Sequence, residues 1–543
     1  MNFPSNSFGL LFIVTTIVYV IGLFVEVMDV DAAQYASISR EMFNNHQYLQ
    51  VLYNGENYLD KPPLLFWLSA ISFKIFGINT VAYKLPSFLF TLLGVYSTYR
   101  LASRLYDIKT GTLAALILYT CQAFFLFNND VRTDTILTGA SVFAAWQLLV
   151  FYDTDRFRNL ILGFTGIAFA MMAKGPIGAI VPASAIGVHL FYRRDWKKLF
   201  NWKWLAGITW GLLLMAPMLW GLYEQYGGYG PKFFFWIQSF GRITGVNTWE
   251  NNTGYFFFVH TFLWAFLPWS PLTVVALFSK ITELFKTHFV KNTSLELFSF
   301  GGFLLPFFAL SFSHYKLPHY IFILFPYAAI MCGNFLYGAS LNQVRTFRIL
   351  FPFQYIIMLL LWISVIILCI YIFPIENAFK WAILAFILAY IIYCWRGTEN
   401  NRHKFIVVSA LTMVAINFIL NAHIYPALLK YQSGSMLAKI AVAKKIPDNS
   451  LVFYKDEINS FEFYYGSIIP VITAEELKNK IERKQSCWIL GNDDLIESLK
   501  ENNTIPSTKI EVNDFPITKL NFYFLNPSKR QTQLRKKYLV AIM

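Results

Sequence analysis

MDVDAAQYASISREMFNNHQYLQVLYNGENYLDKPP, residues 28–63, lies between two apolar runs and carries Asp29, Asp31, Arg40, Glu41, Asp60 and Lys61 in a chain that otherwise avoids charge. Charged side chains gathered beside a bilayer are costly to keep and mark a working site. The rest of the sequence supplies the bilayer. Of 543 residues, 56% are hydrophobic, 19% aromatic and only 14% charged, well outside the composition of soluble domains. The chain therefore reads as a polytopic α-helical membrane protein. Its first apolar run, Phe8 to Met28, has Glu26 as its one interior charge and no small-residue cleavage site, so it reads as a retained helix and not as a signal peptide.

A span needs about 20 apolar residues. Runs near 8–28, 80–103, 111–127, 134–152, 160–173, 176–192, 204–222, 256–279, 293–312, 320–340, 350–373, 380–394 and 405–425 predict about thirteen transmembrane helices. With the N-terminus cytoplasmic, Arg104, Lys109, Arg156, Arg193, Lys203, Lys280, Arg345 and Arg402 fall in inner turns, as the positive-inside rule asks. That distribution explains the net charge of +14 without nucleic acid. The outer face then collects the first loop, 29–63, the turns 128–134, 174–178 and 313–320, and a long loop, 223–255. Four of the five cysteines lie in apolar runs and Cys487 stands alone, with neither zinc spacing nor a predicted disulfide. Residues 1–432 form the membrane domain. Residues 433–543 hold 16 Lys and Arg against 13 Asp and Glu, the texture of a small soluble α/β domain. Strands are predicted at 451–454, 461–465, 487–490 and 520–525, and helices at 474–484 and 493–501. An odd number of spans puts this domain on the outer face.

Asp31 follows directly on the end of a span, and Ala33 to Phe43 has the apolar spacing of a surface helix. A carboxylate so placed can act as general base toward an acceptor hydroxyl; alternatively Asp29 and Asp31 cap the surface helix. Lys61, backed by Pro62 and Pro63, is a stiffly mounted cation suited to a phosphate, or a snorkelling lysine. Arg132, Lys174, Arg242 and Lys316 join it at the outer boundary, where positive-inside bias should remove them. Such a group suggests an anionic ligand, or ion pairs with Asp130 and Asp134. His314 and His319, five residues apart, do not share a helical face and make no metal pair.

The segments Asp31–Ala36, Ser39–Met42, Asn54-Gly55, Tyr58, Lys61–Leu64, Arg132–Asp134, Lys174–Pro176, Pro268–Pro271 and Lys316–Tyr320 resemble, in order and spacing, the GT-C membrane glycosyltransferases of the protein O-mannosyltransferase superfamily. Within it the chain is similar to the bacterial lipid A aminoarabinose (4-amino-4-deoxy-L-arabinose) transferases, over about residues 8–425. The resemblance implies a GT-C fold and inverting transfer of one sugar from a polyprenyl (undecaprenyl) phosphate carrier. The acceptor would be a lipid A-like molecule, a glycan or a protein, at the periplasmic face of a bacterial inner membrane. Asp31 matches the catalytic aspartate, while Ala32 replaces the glutamate that usually follows it, so that the glutamate's contribution is either absent or supplied by Asp29. Lys61 matches the lysine that engages the donor phosphate, with Arg242, Lys174 and Lys316 as further phosphate ligands. Tyr35, Tyr58, Asp60, Arg132, Asp134, His319 and Tyr320 complete the implied substrate site. Asp60 replaces a metal-site glutamate of the aminoarabinose transferases, and Ser239 stands where a histidine is expected. A divalent metal is therefore disfavoured and no cofactor is required. The competing expectation is a transporter or flippase for an anionic lipid-linked substrate, which predicts charge at the bilayer midplane and repeated halves.

Overall fold

The computed structural model describes residues 5–238, 241, 251, 253–287, 296–338, 344–397 and 401–542. The predicted apolar runs form helices. Among the described residues six helices are long and apolar enough to cross a membrane, among them Thr133–Thr154, Thr346–Ile372 and Asn401–Leu429, or up to eight if each of two bent pairs is one span. Shorter apolar helices, including Ile177–Arg193 and Phe298–Ser311, occupy other predicted runs. The protein is a multi-pass membrane protein.

One predicted span is corrected. The run 256–279 is two helices, Phe257–Ala265 and Ser270–Lys286, set at 119°. Pro268 lies in the break, without an N–H to continue a helix and with a steric bias against helix at the residue before it. The break docks on the milder 49° bend between Ile108–Tyr119 and Gln122–Asn129. There the Gln122 N–H donates to Leu267 O at 2.9 Å, and the fully buried Trp269 donates its indole N–H to Thr120 Oγ1 at 3.0 Å. Backbone groups freed by the two breaks thus find partners inside the protein, the condition for irregular backbone at membrane depth. Elsewhere small residues let helices touch. A Cβ on Gly139 would lie 2.2 Å from Phe90 O of helix Thr80–Leu105, the close approach typical of membrane helix pairs.

The first outer loop holds the surface helix Asp31–Asn45 and a hairpin of β1 (Leu52–Tyr53) and β2 (Glu56–Asn57). In the C-terminal region β3 (Leu451–Tyr454), β4 (Val471–Ile472), β5 (Cys487–Gly491), β6 (Thr508–Asp514) and β7 (Arg535–Ile542) form one sheet in the order β4-β3-β5-β7-β6. The pairs β3–β4 and β3–β5 are parallel, and β7 runs antiparallel to both β5 and β6. Two predicted strands are helices instead, Asn459–Tyr465 and Phe522–Leu525, while β6 and β7 form where no strand was expected. A short aromatic run satisfies either period, and capping decides it. The Asn521 side chain accepts from Phe524 N–H at 2.8 Å. Asn459–Tyr465 is capped by Asp29 of the membrane domain and ended by Gly466, whose φ of +117° sends its N–H back to Glu462 O at 2.9 Å.

The C-terminal domain sits on the first loop. Arg40 donates to Phe463 O, Ser37 Oγ to Asn459 O at 3.2 Å, and Tyr53 OH to Asn459 Oδ1 at 2.5 Å. The Tyr464 hydroxyl accepts from Val27 N–H at 2.8 Å, and the Gln432 amide spans Val27 O and Asp29 N–H at 2.9 and 2.8 Å.

Candidate active site

Asp31 opens the surface helix, but its carboxylate caps nothing there: the N-cap residue is Val30, with no side-chain cap bond. It meets Arg132 instead. Arg132 is the N-cap residue of Thr133–Thr154, so its guanidinium projects from the mouth of a long rigid helix. Its Nε and Nη2 donate to Asp130 Oδ2 at 3.0 and 2.9 Å, and its Nη1 to Asp31 Oδ2. Arg132 is thereby shared between a buried carboxylate and one whose side chain is still 40% exposed.

Asp134, in the first turn of the same helix, is 1% exposed and pairs with Lys174 at 2.5 Å. Lys174 ends helix Phe157–Lys174. The acid at a helix N-terminus and the base at a helix C-terminus each suit the local dipole. The Lys174 ammonium also lies 4.3 Å from the ring centre of Tyr320. His319, buried, presents its ring edge to Phe127 at 6.1 Å. Lys61 pairs with Asp60, whose backbone carbonyl accepts from the Gln238 amide, and the Tyr58 hydroxyl hydrogen-bonds the Asp60 carboxylate. Tyr35 is buried against the edge of Phe66, within electrostatic reach of Tyr58, Asp60 and Asp134. These side chains fall into three groups: Asp31 with Arg132 and Asp130, Asp134 with Lys174 and Tyr320, and Lys61 with Asp60 and Tyr58, with Tyr35 in electrostatic reach of Asp60 and Asp134.

Lys316 is tied to the end of the long outer loop. Its N–H and C=O pair with the Asn251 amide at 3.1 and 2.6 Å, and its ammonium donates to Thr253 O at 3.1 Å. Among the described residues no carboxylate pairs with Lys316, in contrast to Lys61, Arg132 and Lys174. Arg242 and Ser239 lie outside the described residues.

Asp29 does not join Asp31. Its carboxylate accepts from Ser460 N–H at 3.1 Å and Ser460 Oγ–H at 2.7 Å, facing the C-terminal domain, and burial pushes it up to about 6. Asp29, which the resemblance offered as a stand-in for the missing glutamate, thus faces Ser460 while Asp31 faces Arg132. Glu41 is likewise committed to structure: its two oxygens take the Asn54 and Gly55 N–H groups at 2.9 and 3.0 Å. The ion pairs expected of Arg132 and Lys174 with Asp130 and Asp134 are present, while Lys84, a lysine inside an apolar run, is fully buried. Among the described residues no three His, Cys, Asp or Glu side chains gather to hold a metal, and Asp60 is engaged by Lys61, so no step is routed through a metal.

An apolar groove of about 550 Å³ runs along helices Phe157–Lys174, Ile177–Arg193 and Lys203–Tyr226, lined by Phe164, Met171, Ala179, Ile186, Trp204 and Met215. Met171 and Ala179 put one end of it within about a helical turn of the Lys174-Gly175-Pro176 corner.

Residues 60–220 match the family described as dolichyl-phosphate-mannose-protein mannosyltransferase. An uncharacterized protein of Aquifex aeolicus is 27% identical over 336 residues, 61% of this chain and 64% of its own length. An undecaprenyl phosphate-alpha-4-amino-4-deoxy-L-arabinose arabinosyl transferase of Pseudomonas aeruginosa is 27% identical over 310 residues, 55% of this chain and 54% of that one. The chain thus spans between half and two thirds of the length of these curated relatives. The crystal structure of ArnT from Cupriavidus metallidurans bound to undecaprenyl phosphate superposes with a TM-score of 0.76 at 17% identity, covering 99% of this chain and 98% of that one. The same protein in the apo state gives 0.74 at 17% identity, over 98% and 97%. A superposition along nearly the whole of both chains gives this protein the GT-C fold, and over about half of its length its sequence is similar to that of an undecaprenyl phosphate-alpha-4-amino-4-deoxy-L-arabinose arabinosyl transferase.

Proposed function

We propose that the protein transfers one sugar from an undecaprenyl phosphate carrier to an acceptor at the periplasmic face of a bacterial inner membrane, with inversion at the anomeric carbon. The observation that carries this reading is Asp31, held by Arg132 yet with its side chain still 40% exposed. A carboxylate so held takes the acceptor hydroxyl proton as that oxygen bonds the anomeric carbon. The bond from that carbon to the carrier phosphate breaks, and undecaprenyl phosphate leaves with the electron pair. Charge gathers on the departing phosphate, where preorganised cations stabilise it best. Lys316, with a carbonyl in place of a carboxylate partner, and Lys61, in a partly exposed pair, supply that charge. Lys174 is held by Asp134 and shapes the cleft wall. The apolar groove that begins near Lys174 suits an isoprenoid chain. Undecaprenyl phosphate is also the lipid bound in one ArnT crystal structure, which supports the donor class. The acceptor class is a lipid A-like molecule, a glycan or a protein hydroxyl. A transporter or flippase has less support, because the named relatives similar in sequence are arabinosyl transferases.

The test is sugar transfer by purified protein from a panel of undecaprenyl-phosphate sugars to a membrane lipid extract, wild type against Asp31→Asn. A loss of about 10² or more in a folded variant is expected. Wild-type transfer by Asp31→Asn would overturn the assignment.

A further inference from the structure

The side of the first-loop helix that the C-terminal domain covers is not closed. Ser37, Arg40, Glu41 and Asn44 recur at i, i+3, i+4 and i+7 of helix Asp31–Asn45 and so share one face. Between that face, the β1–β2 turn and the end of helix Asn459–Tyr465 lies a pocket of about 230 Å³, lined by Arg40, Glu41, Asn44, Asn54, Glu462 and Ser467. Polar side chains dominate its wall, and two of them are incomplete. Glu462 is 3% exposed, and its Oε1 accepts from Ile469 N–H at 3.3 Å. Its Oε2 is buried with no hydrogen bond among the described residues, although the Asn54 amide lies close enough to favour the charged form. Arg40 rests on Gly466, where a Cβ would run into the guanidinium, and its Nη1 donates to Phe463 O. The Arg40 Nε is buried, again with no hydrogen bond among the described residues. A buried polar atom without a partner is rare and costly. A donor and an acceptor in that state in one small pocket point to a molecule that answers both.

The lining sets the chemical class. A ligand anion would face Glu41 and Glu462, and a ligand cation would face Arg40, so a neutral molecule suits both walls. A sugar hydroxyl donates and accepts at once, which serves the Glu462 oxygen and the Arg40 N–H alike. Ile468, also in the wall and 45% exposed, offers an apolar contact for the C–H face of a ring. The volume falls below the about 300 to 1,000 Å³ of sites for drug-sized ligands and suits a single ring. We infer that this pocket binds one neutral, polyhydroxylated sugar unit of a glycan. Arg40 and Asn44 follow Asp31 in one helix, about 14 and 20 Å along its axis. A glycan held in the pocket can extend toward Asp31 over a few units, so the pocket selects glycan-bearing acceptors. That link to the acceptor rests on the proposed transfer reaction, whereas sugar binding itself does not.

For the test, the full chain in nanodiscs free of sugar-based detergent is titrated with the methyl glycosides of glucose, galactose, mannose and N-acetylglucosamine, followed by saturation-transfer NMR. At least one should bind with a Kd of about 1 mM, the range for a ligand of about a dozen heavy atoms. Glu462→Gln removes the carboxylate acceptor, and Asn44→Trp fills the pocket from an exposed position. Each should weaken binding about tenfold or more. In transfer assays the KM for a glycan-bearing acceptor should rise by the same factor with kcat nearly unchanged, while transfer to a glycan-free acceptor stays at the wild-type rate. No binding by any of the four glycosides, or binding that survives either substitution, would overturn the inference and leave the pocket to water. An acceptor KM unchanged in both variants would overturn the role in acceptor choice. If Glu462→Gln does not fold, Asn44→Trp is judged on the same titration. If wild type transfers nothing or Asp31→Asn stays active, the transfer reading fails, and the NMR titration still decides whether the pocket binds a sugar.

Discussion

Asp29→Asn separates two jobs that an acid in the first loop could have. Asp29 accepts from the Ser460 N–H and Oγ–H, capping helix Asn459–Tyr465 and fastening the C-terminal domain to the membrane domain. Burial pushes its carboxyl from an ordinary 3.8 up to about 6, with the Ser460 bonds opposing and Asp514 adding to the rise. The folded state therefore prefers the protonated form. Its stabilisation is full below about pH 3.8 and is lost as pH rises through about 6. At about 1.36 kcal/mol per pKa unit, the ionised carboxylate costs about 3 kcal/mol at neutral pH, and closer to about 2 kcal/mol once its partial exposure is allowed for. Asn keeps an oxygen for the Ser460 N–H and has no charge to desolvate. The substitution should thus tighten the domain at pH 7.5 by about 2 kcal/mol, a roughly 30-fold drop in its open population, and flatten the dependence on pH between about 4 and 6. Glu462, pushed up to about 7 by burial and by nearby Glu457 and Glu41, titrates in the same sense in both proteins, so only the Asp29 share disappears. The assay is limited proteolysis that releases the chain beyond residue 432, at pH 5 and 7.5, under conditions where cleavage follows the open population. Sugar transfer should stay within about threefold of wild type. Faster cleavage of the variant at pH 7.5 would refute the desolvation argument, and a loss of transfer like that expected of Asp31→Asn would refute a purely capping role.

Two further substitutions test the cleft. Lys316→Met removes the cation whose ammonium rests on Thr253 O, and the apparent KM for an undecaprenyl-phosphate sugar should rise about tenfold or more; an unchanged KM would assign the phosphate to other cations. Asp134→Asn leaves Lys174, 13% exposed, without its 2.5 Å partner. Breaking a buried pair on one side costs about 3 to 5 kcal/mol, so melting in detergent should fall sharply, and Lys174→Met in the same chain should restore most of the loss. A double variant no more stable than the single one would show that the pair is not the source.

Hydropathy and charge placement determined the membrane architecture, because burying apolar surface in lipid is a property of composition that each run carries by itself. The helix Asp31–Asn45 was legible for a similar reason, its apolar residues recurring with a helical period, but its polar side is covered by the C-terminal region through Ser37 and Arg40. The order of short motifs from Asp31 to Tyr320 was enough to suggest the GT-C fold. The sequence offered Asp130 and Asp134 as ion-pair partners of the outer cations, which they are, but did not separate the roles of Asp29 and Asp31. Asp29 and Asp31 are two residues apart and chemically identical, yet one is turned to Ser460 and the other to Arg132, some hundred residues away along the chain. Nor could local sequence decide that Phe461–Tyr465 is helix, since its cap arrives from the membrane domain. The breaks at Thr120 and Pro268 were hidden for the same reason, each being satisfied by the other. Periodicity and polarity act along the chain and can be read from it, whereas an ion pair, a cap or a docked helix break is worth its energy only when two distant segments meet, and that meeting belongs to the tertiary structure.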